Sequence, residues 1–84
     1  MLVAEAELAK LAAAVRERIL RRIMWLGENA EAVIHHRLSN MPDDLAGLCK
    51  LRVGDYRVLY WVSTAARTIQ IFRVRHRREA YRDL

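Results

Sequence analysis

From Glu5 to Glu28, the apolar residues Leu8, Leu11, Val15, Ile19, Ile23 and Leu26 recur every three or four positions, with Arg16, Arg18, Arg21 and Arg22 mostly between them. That period lines one face of an α-helix with apolar side chains and leaves the other face charged. Ala12-Ala13-Ala14 favours helix and no Gly or Pro interrupts the run, so the pattern admits one helix or two. Gly27 and Asn29 supply the stop. An apolar stripe of this kind covers a sheet or another helix. Over 30–47 no period is sustained. Ser39-Asn40, Pro42 and Asp43-Asp44 are turn residues, so this stretch reads as a loop with a helical turn at 32–37.

After residue 48 the period changes to two. Residues 49–53 read as a strand, Gly54-Asp55 as a two-residue turn, 56–62 as a second strand, 63–67 as a connection and 68–74 as a third strand. Val, Ile, Tyr, Trp and Phe fill these segments as β-propensity expects. One or two amino-terminal helices followed by an antiparallel meander make an α+β domain with the helices on one sheet face.

If Gly54-Asp55 is the whole turn, Val53 opposes Tyr56, Arg52 opposes Arg57, Leu51 opposes Val58 and Lys50 opposes Leu59. Directly opposed residues share a face. Leu51, Val53, Tyr56 and Val58 then point to the core, while Lys50, Arg52 and Arg57 gather on the other face with Leu59 and Trp61. Three cations on so small a surface repel one another unless an anion sits among them, which is the chemistry of a phosphate site.

Composition narrows the class. Eighty-four residues bound one small domain, 1–84. The single cysteine, Cys49, excludes an internal disulfide framework, and His35-His36 has no second Cys/His cluster at metal-binding spacing. The apolar start at residues 1–4 is interrupted by Glu5, Glu7 and Lys10, so neither a signal-peptide core nor a membrane span is expected and the location expected is cytoplasmic. Fifteen Lys+Arg against ten Asp+Glu give a net charge of +5. Residues 1–44 carry a net −1 and residues 45–84 a net +6, so the excess is wholly carboxy-terminal. Thirteen of the cations are Arg, which stays charged and forks onto phosphate oxygens. A basic tail, Arg73-Val74-Arg75-His76-Arg77-Arg78, adds Arg73, Arg75 and Arg78 as RNA- or phosphate-binding candidates, with Tyr81 available to stack on a base.

Leu51-Arg52-Val53-Gly54-Asp55-Tyr56-Arg57-Val58-Leu59-Tyr60, an apolar strand, and then Val74-Arg75-His76-Arg77-Arg78-Glu79-Ala80-Tyr81-Arg82 together resemble the carboxy-terminal half of the RelE/ParE superfamily of toxins. Val15-Arg16-Glu17-Arg18-Ile19, with Lys10-Leu11 before it, also matches, and the likeness extends over about residues 5–82. It implies the toxin of a type II toxin–antitoxin pair. RelE-type members enter the ribosomal A site and cleave messenger RNA there, the 2′-hydroxyl attacking the adjacent phosphate without metal or cofactor. ParE-type members share the fold and poison DNA gyrase. Both are neutralised by a small antitoxin, RelB-like for the first branch.

Carried over position by position, the resemblance casts Lys50, Arg52, Arg57, Arg77 and Tyr81 as the catalytic set. Arg57 and Arg77 hold the scissile phosphate, Tyr81 stacks on a nucleotide and Lys50 helps activate or position the 2′-hydroxyl. Arg52 stands where RelE enzymes have lysine, and arginine does not give up its proton, so it serves as a charge clamp. His76, beside Arg77, is a candidate general acid or base. The RelE-type reading implies ribosome and messenger RNA as partners. The other readings are gyrase inhibition and a non-enzymatic nucleic-acid-binding module. The family begins with a strand, for which only residues 1–4 are available here. A short or missing first strand implies an exposed sheet edge open to antitoxin or self-association.

Overall fold

The computed structural model describes residues 2–63 and 65–81. Met1, one position of the 63–67 connection and Arg82 of the tail motif lie outside them.

The apolar stripe folds as two helices, α1 (Leu2–Ala9) and α2 (Ala13–Glu28). Nothing in the local sequence breaks them apart. Ala12 leaves the helical region (φ −57°, ψ 146°), and Arg16 donates from Nη1 to the Leu11 carbonyl at 3.0 Å, holding the corner. Helix propensity yields here to tertiary packing, because α1 and α2 cover different parts of the sheet. Gly27 lies inside the last turn of α2; the stop belongs to Asn29, whose backbone N–H and Nδ2 both donate to the Trp25 carbonyl.

The sheet has four strands, β1 (His36–Arg37), β2 (Cys49–Val53), β3 (Tyr56–Ser63) and β4 (Thr68–His76), antiparallel in the order β1-β2-β3-β4. The register of β2 on β3 is the one that a two-residue turn requires: Val53 faces Tyr56, Arg52 faces Arg57 and Lys50 faces Leu59. Gly54 has φ +57°, a backbone conformation that calls for glycine; the guanidinium end of Arg18, 3.0 Å from where a Cβ would stand, is flexible enough to move aside.

Two expectations are corrected. The helical turn at 32–37 is absent; the chain closes a turn on the Asn29 carbonyl at Ala32 and Val33 and then runs as β1, with a 3₁₀ turn at Asp43–Leu45. Of the short or missing first strand, the missing one holds among the described residues, since Leu2 onward is helical. The edge that a missing strand is expected to expose is instead met by α1, whose Glu7 carboxylate accepts the Val74 backbone N–H at 2.8 Å.

On the helix side, Ala4 and Ile19 pack with Val53, Val58 and Val74, while Leu26 packs with Cys49 and Tyr60. Between Leu59 and Tyr60 the register with β4 shifts: Leu59 faces Arg73 but Tyr60 faces Ile71, leaving Phe72 as the extra residue of a β-bulge. On the opposite face Leu59 is also buried, Trp61 packs against Phe72 and donates from Nε1 to the Ala46 carbonyl, and the 42–48 loop is thereby fastened to the sheet.

Candidate functional site

Alternation along β2 sends Cys49, Leu51 and Val53 toward the helices and Lys50 and Arg52 to the opposite face. Register then places Arg57 opposite Arg52, and His36 of β1 opposite Lys50. The chain beyond β4 is brought back by one short hydrogen bond, the Arg77 N–H donating to the Asp55 carbonyl of the hairpin turn at 2.7 Å. Ala80 is fully buried and pins the turn after β4, so Tyr81 stands exposed beside the sheet. His36, Lys50, Arg52, Arg57, Arg77 and Tyr81 together line an open cleft of 560 Å³.

The cleft is strongly cationic. Among the described residues, no carboxylate lies within ion-pair distance of Lys50, Arg52 or Arg57, and Arg77 has only Asp55, 3.9 Å away and exposed. Arg57 is fixed by donating from Nη1 to the carbonyls of Gly54 and Tyr56, at 3.1 and 3.0 Å. That leaves the Nε and Nη2 side of its guanidinium fork for a ligand. Four cations and an exposed phenol around an open cleft suit a phosphodiester with an adjoining base. A second depression, beside the end of α2, contains Glu28 and Glu31, and the latter pairs with Arg67 at 3.5 Å; it offers no comparable anion site.

The five residues cast together from the sequence thus come together in space. The other basic candidates do not. His76 faces Tyr56 across the sheet on the helix side, its ring edge-on to the tyrosine at 5.5 Å, and its Nδ1 accepts the Arg78 backbone N–H at 3.2 Å. Arg73 forks onto Glu7 at 2.9–3.2 Å and Arg75 lies 3.9 Å from the same carboxylate, both engaged with the protein. Arg78 is exposed and outside the cleft.

Sequence reasoning missed His36. Its neighbour His35 has a structural place: Nε2–H donates to the Ala30 carbonyl at 2.8 Å, which leaves Nδ1 to accept the Tyr60 hydroxyl at 2.7 Å. Burial pushes the Tyr60 phenol up to about 12, with the nearby Cys49 adding to the effect. Burial also raises the Cys49 thiol, against the pull of Arg37, and its Sγ donates to the Gly47 carbonyl. Among the described residues no group of three His, Cys, Asp or Glu side chains is arranged to hold a metal ion, and no helix is long and apolar enough to cross a membrane.

Comparison with protein families finds a match over residues 3–81 to the model described as ParE toxin of type II toxin–antitoxin system, parDE. No curated protein matches the chain significantly.

Proposed function

Because the chain belongs to the ParE toxin family of type II toxin–antitoxin systems, we propose that its cationic cleft is the active site of a RelE-type, ribosome-dependent endoribonuclease that cuts messenger RNA in the A site. Membership of the family brings a cognate antitoxin as partner. The observation that carries the reading is the convergence of Lys50, Arg52, Arg57, Arg77 and Tyr81, from a strand pair and a distant tail, on one cleft.

In this reading the 2′-hydroxyl attacks the adjacent phosphorus and the 5′-oxygen departs, leaving a 2′,3′-cyclic phosphate. The phosphoryl oxygens gain negative charge as the new bond forms. Arg57 and Arg77 hold those oxygens, Arg52 clamps the neighbouring backbone charge and Lys50 stands beside the attacking hydroxyl. Tyr81 stacks on a base and fixes its angle. Cations already in place when the charge develops need no reorganisation, and removing one such donor typically costs about 100- to 1,000-fold in rate. The ribosome supplies the rest of the orientation by presenting the message.

The family match is itself the observation that favours a second reading, inhibition of DNA gyrase. One pair of assays separates the two. Given programmed ribosomes, the protein is expected to cut message at the A-site codon, and Arg57→Ala or Arg77→Ala is expected to lose at least about 100-fold in that rate while antitoxin binding persists. Given gyrase and supercoiled DNA, it is expected to do nothing. Intact message together with trapped gyrase–DNA breaks would establish the second reading instead.

A further inference from the structure

The cleft contains six side chains, and the catalytic set accounts for five. The sixth, His36, comes from a two-residue strand that has no hydrophobic period of its own. Its position is nevertheless well determined. On one side His35 is tied to Tyr60 and Ala30; on the other the Leu38 N–H donates to the Leu48 carbonyl at 2.9 Å. Between these anchors His36 is paired directly with Lys50, which places the two Cβ atoms about 5 Å apart on the same face.

The remaining cleft residues explain why this matters. Arginine does not release its proton in proteins, so Arg52, Arg57 and Arg77 bind charge without moving hydrogen. Imidazole is the side-chain type that exchanges protons near neutrality. His76, the histidine within the tail motif, faces Tyr56 on the helix side of the sheet. A transesterification still has to take a proton from the 2′-hydroxyl.

We infer that His36 is the general base of the cleft, taking the proton of the attacking 2′-hydroxyl next to Lys50. The inference rests on the endoribonuclease reading above. In the step, the O2′–phosphorus bond forms as the phosphorus–O5′ bond breaks; the O2′ proton passes to the His36 imidazole, and the departing 5′-oxygen takes a proton from water. The imidazolium so formed stands beside phosphoryl oxygens that are gaining charge, so proton transfer and charge stabilisation reinforce each other. The groups facing His36 are Lys50 across the strand pair, then Arg52, Arg57, Arg77 and Tyr81 around the cleft, with His35 and Arg37 beside it in the chain.

The test is single-turnover cleavage of message on programmed ribosomes from about pH 5 to about pH 8, across the range in which imidazole titrates. Wild type is expected to speed up as pH rises, because the neutral base is required. His36→Gln is expected to lose about 100-fold or more in kcat, leave KM nearly unchanged and lose the rising limb. A parallel measurement follows the His36 ring protons by NMR as a messenger fragment with a 2′-deoxy group at the cleavage position is added; a specific shift, abolished in Arg57→Ala, is expected. If wild type cuts and Arg57→Ala does not, but His36→Gln cuts at the wild-type rate with the same pH limb, the assignment of His36 is overturned and the cleft stands. If wild type cuts no message at all, the endoribonuclease reading and this inference both fall.

Discussion

At the scale of single residues, Tyr60 joins stability to the site. Its ring is buried between α2 and the sheet, and its hydroxyl holds His35, which in turn sets the strand carrying His36. The phenol keeps its proton in the fold up to about pH 12, whereas an unfolded tyrosine releases it near 10.0. The native state therefore binds more protons than the unfolded state between those values. The resulting stability is complete below pH 10, falls as pH rises and is gone above about 12, a loss of about 2–3 kcal/mol. Urea unfolding at increasing alkalinity should show this limb, and Tyr60→Phe should flatten it; an identical decline in both proteins would contradict the assignment. The same variant should be less stable by about 1 kcal/mol at neutral pH, through the lost hydrogen bond to His35. None of this is visible in His35-His36 as a dipeptide. The partner of His35 lies 25 positions away, and one histidine of the pair serves the core while the next serves the cleft.

At the scale of elements, the β2–β3 hairpin was readable because its period of two and its Gly-Asp turn leave a single register that buries Val53 and Val58. The β3–β4 pair was not, owing to the bulge. Counted back from Ser63 opposite Thr68 without a bulge, His76 would share a face with Arg57; the extra residue at Phe72 shifts the pairing by one and sends His76 to the helix side opposite Tyr56. β1 was missed because two residues cannot display a period. The apolar period left one helix or two open, and two form because the break lets Glu7 lie along the β4 edge. There Glu7 accepts the Val74 N–H and forks with Arg73, both side chains being largely shielded from solvent. Glu7→Gln keeps an acceptor for Val74 but removes the charge, and should cost about 1–2 kcal/mol. For a domain of this size that is a fall of roughly 4–16 °C in Tm. Circular dichroism melts of the two proteins provide the check, and unchanged melting would mean that the carboxylate does not hold this edge.

At the scale of the whole molecule, a radius of gyration of 12.3 Å matches the roughly 12 Å expected of a compact chain of this length. The charge asymmetry seen along the chain becomes an asymmetry in space. Of the carboxy-terminal cations, Lys50, Arg52, Arg57 and Arg77 share one cleft, while Arg73 and Arg75 are drawn to Glu7. Binding of a single-stranded RNA mimic should therefore weaken with salt, and Arg57→Ala should lower the slope of log K against log salt by about 0.7, the value of one phosphate contact. Fluorescence anisotropy at several salt concentrations measures it; an unchanged slope would place the phosphate elsewhere. The contact between Glu7 and Val74 joins positions 67 apart, so its loop closes only when most of the chain is available. Synthesis proceeds from the amino end, and α1 leaves the ribosome long before the strand edge it covers. Of the residues that line the cleft, His36 emerges first and Tyr81 last. A growing chain thus carries an unfinished cleft until its last segment has been added, and the site exists only once the tail has returned to the hairpin turn at Asp55.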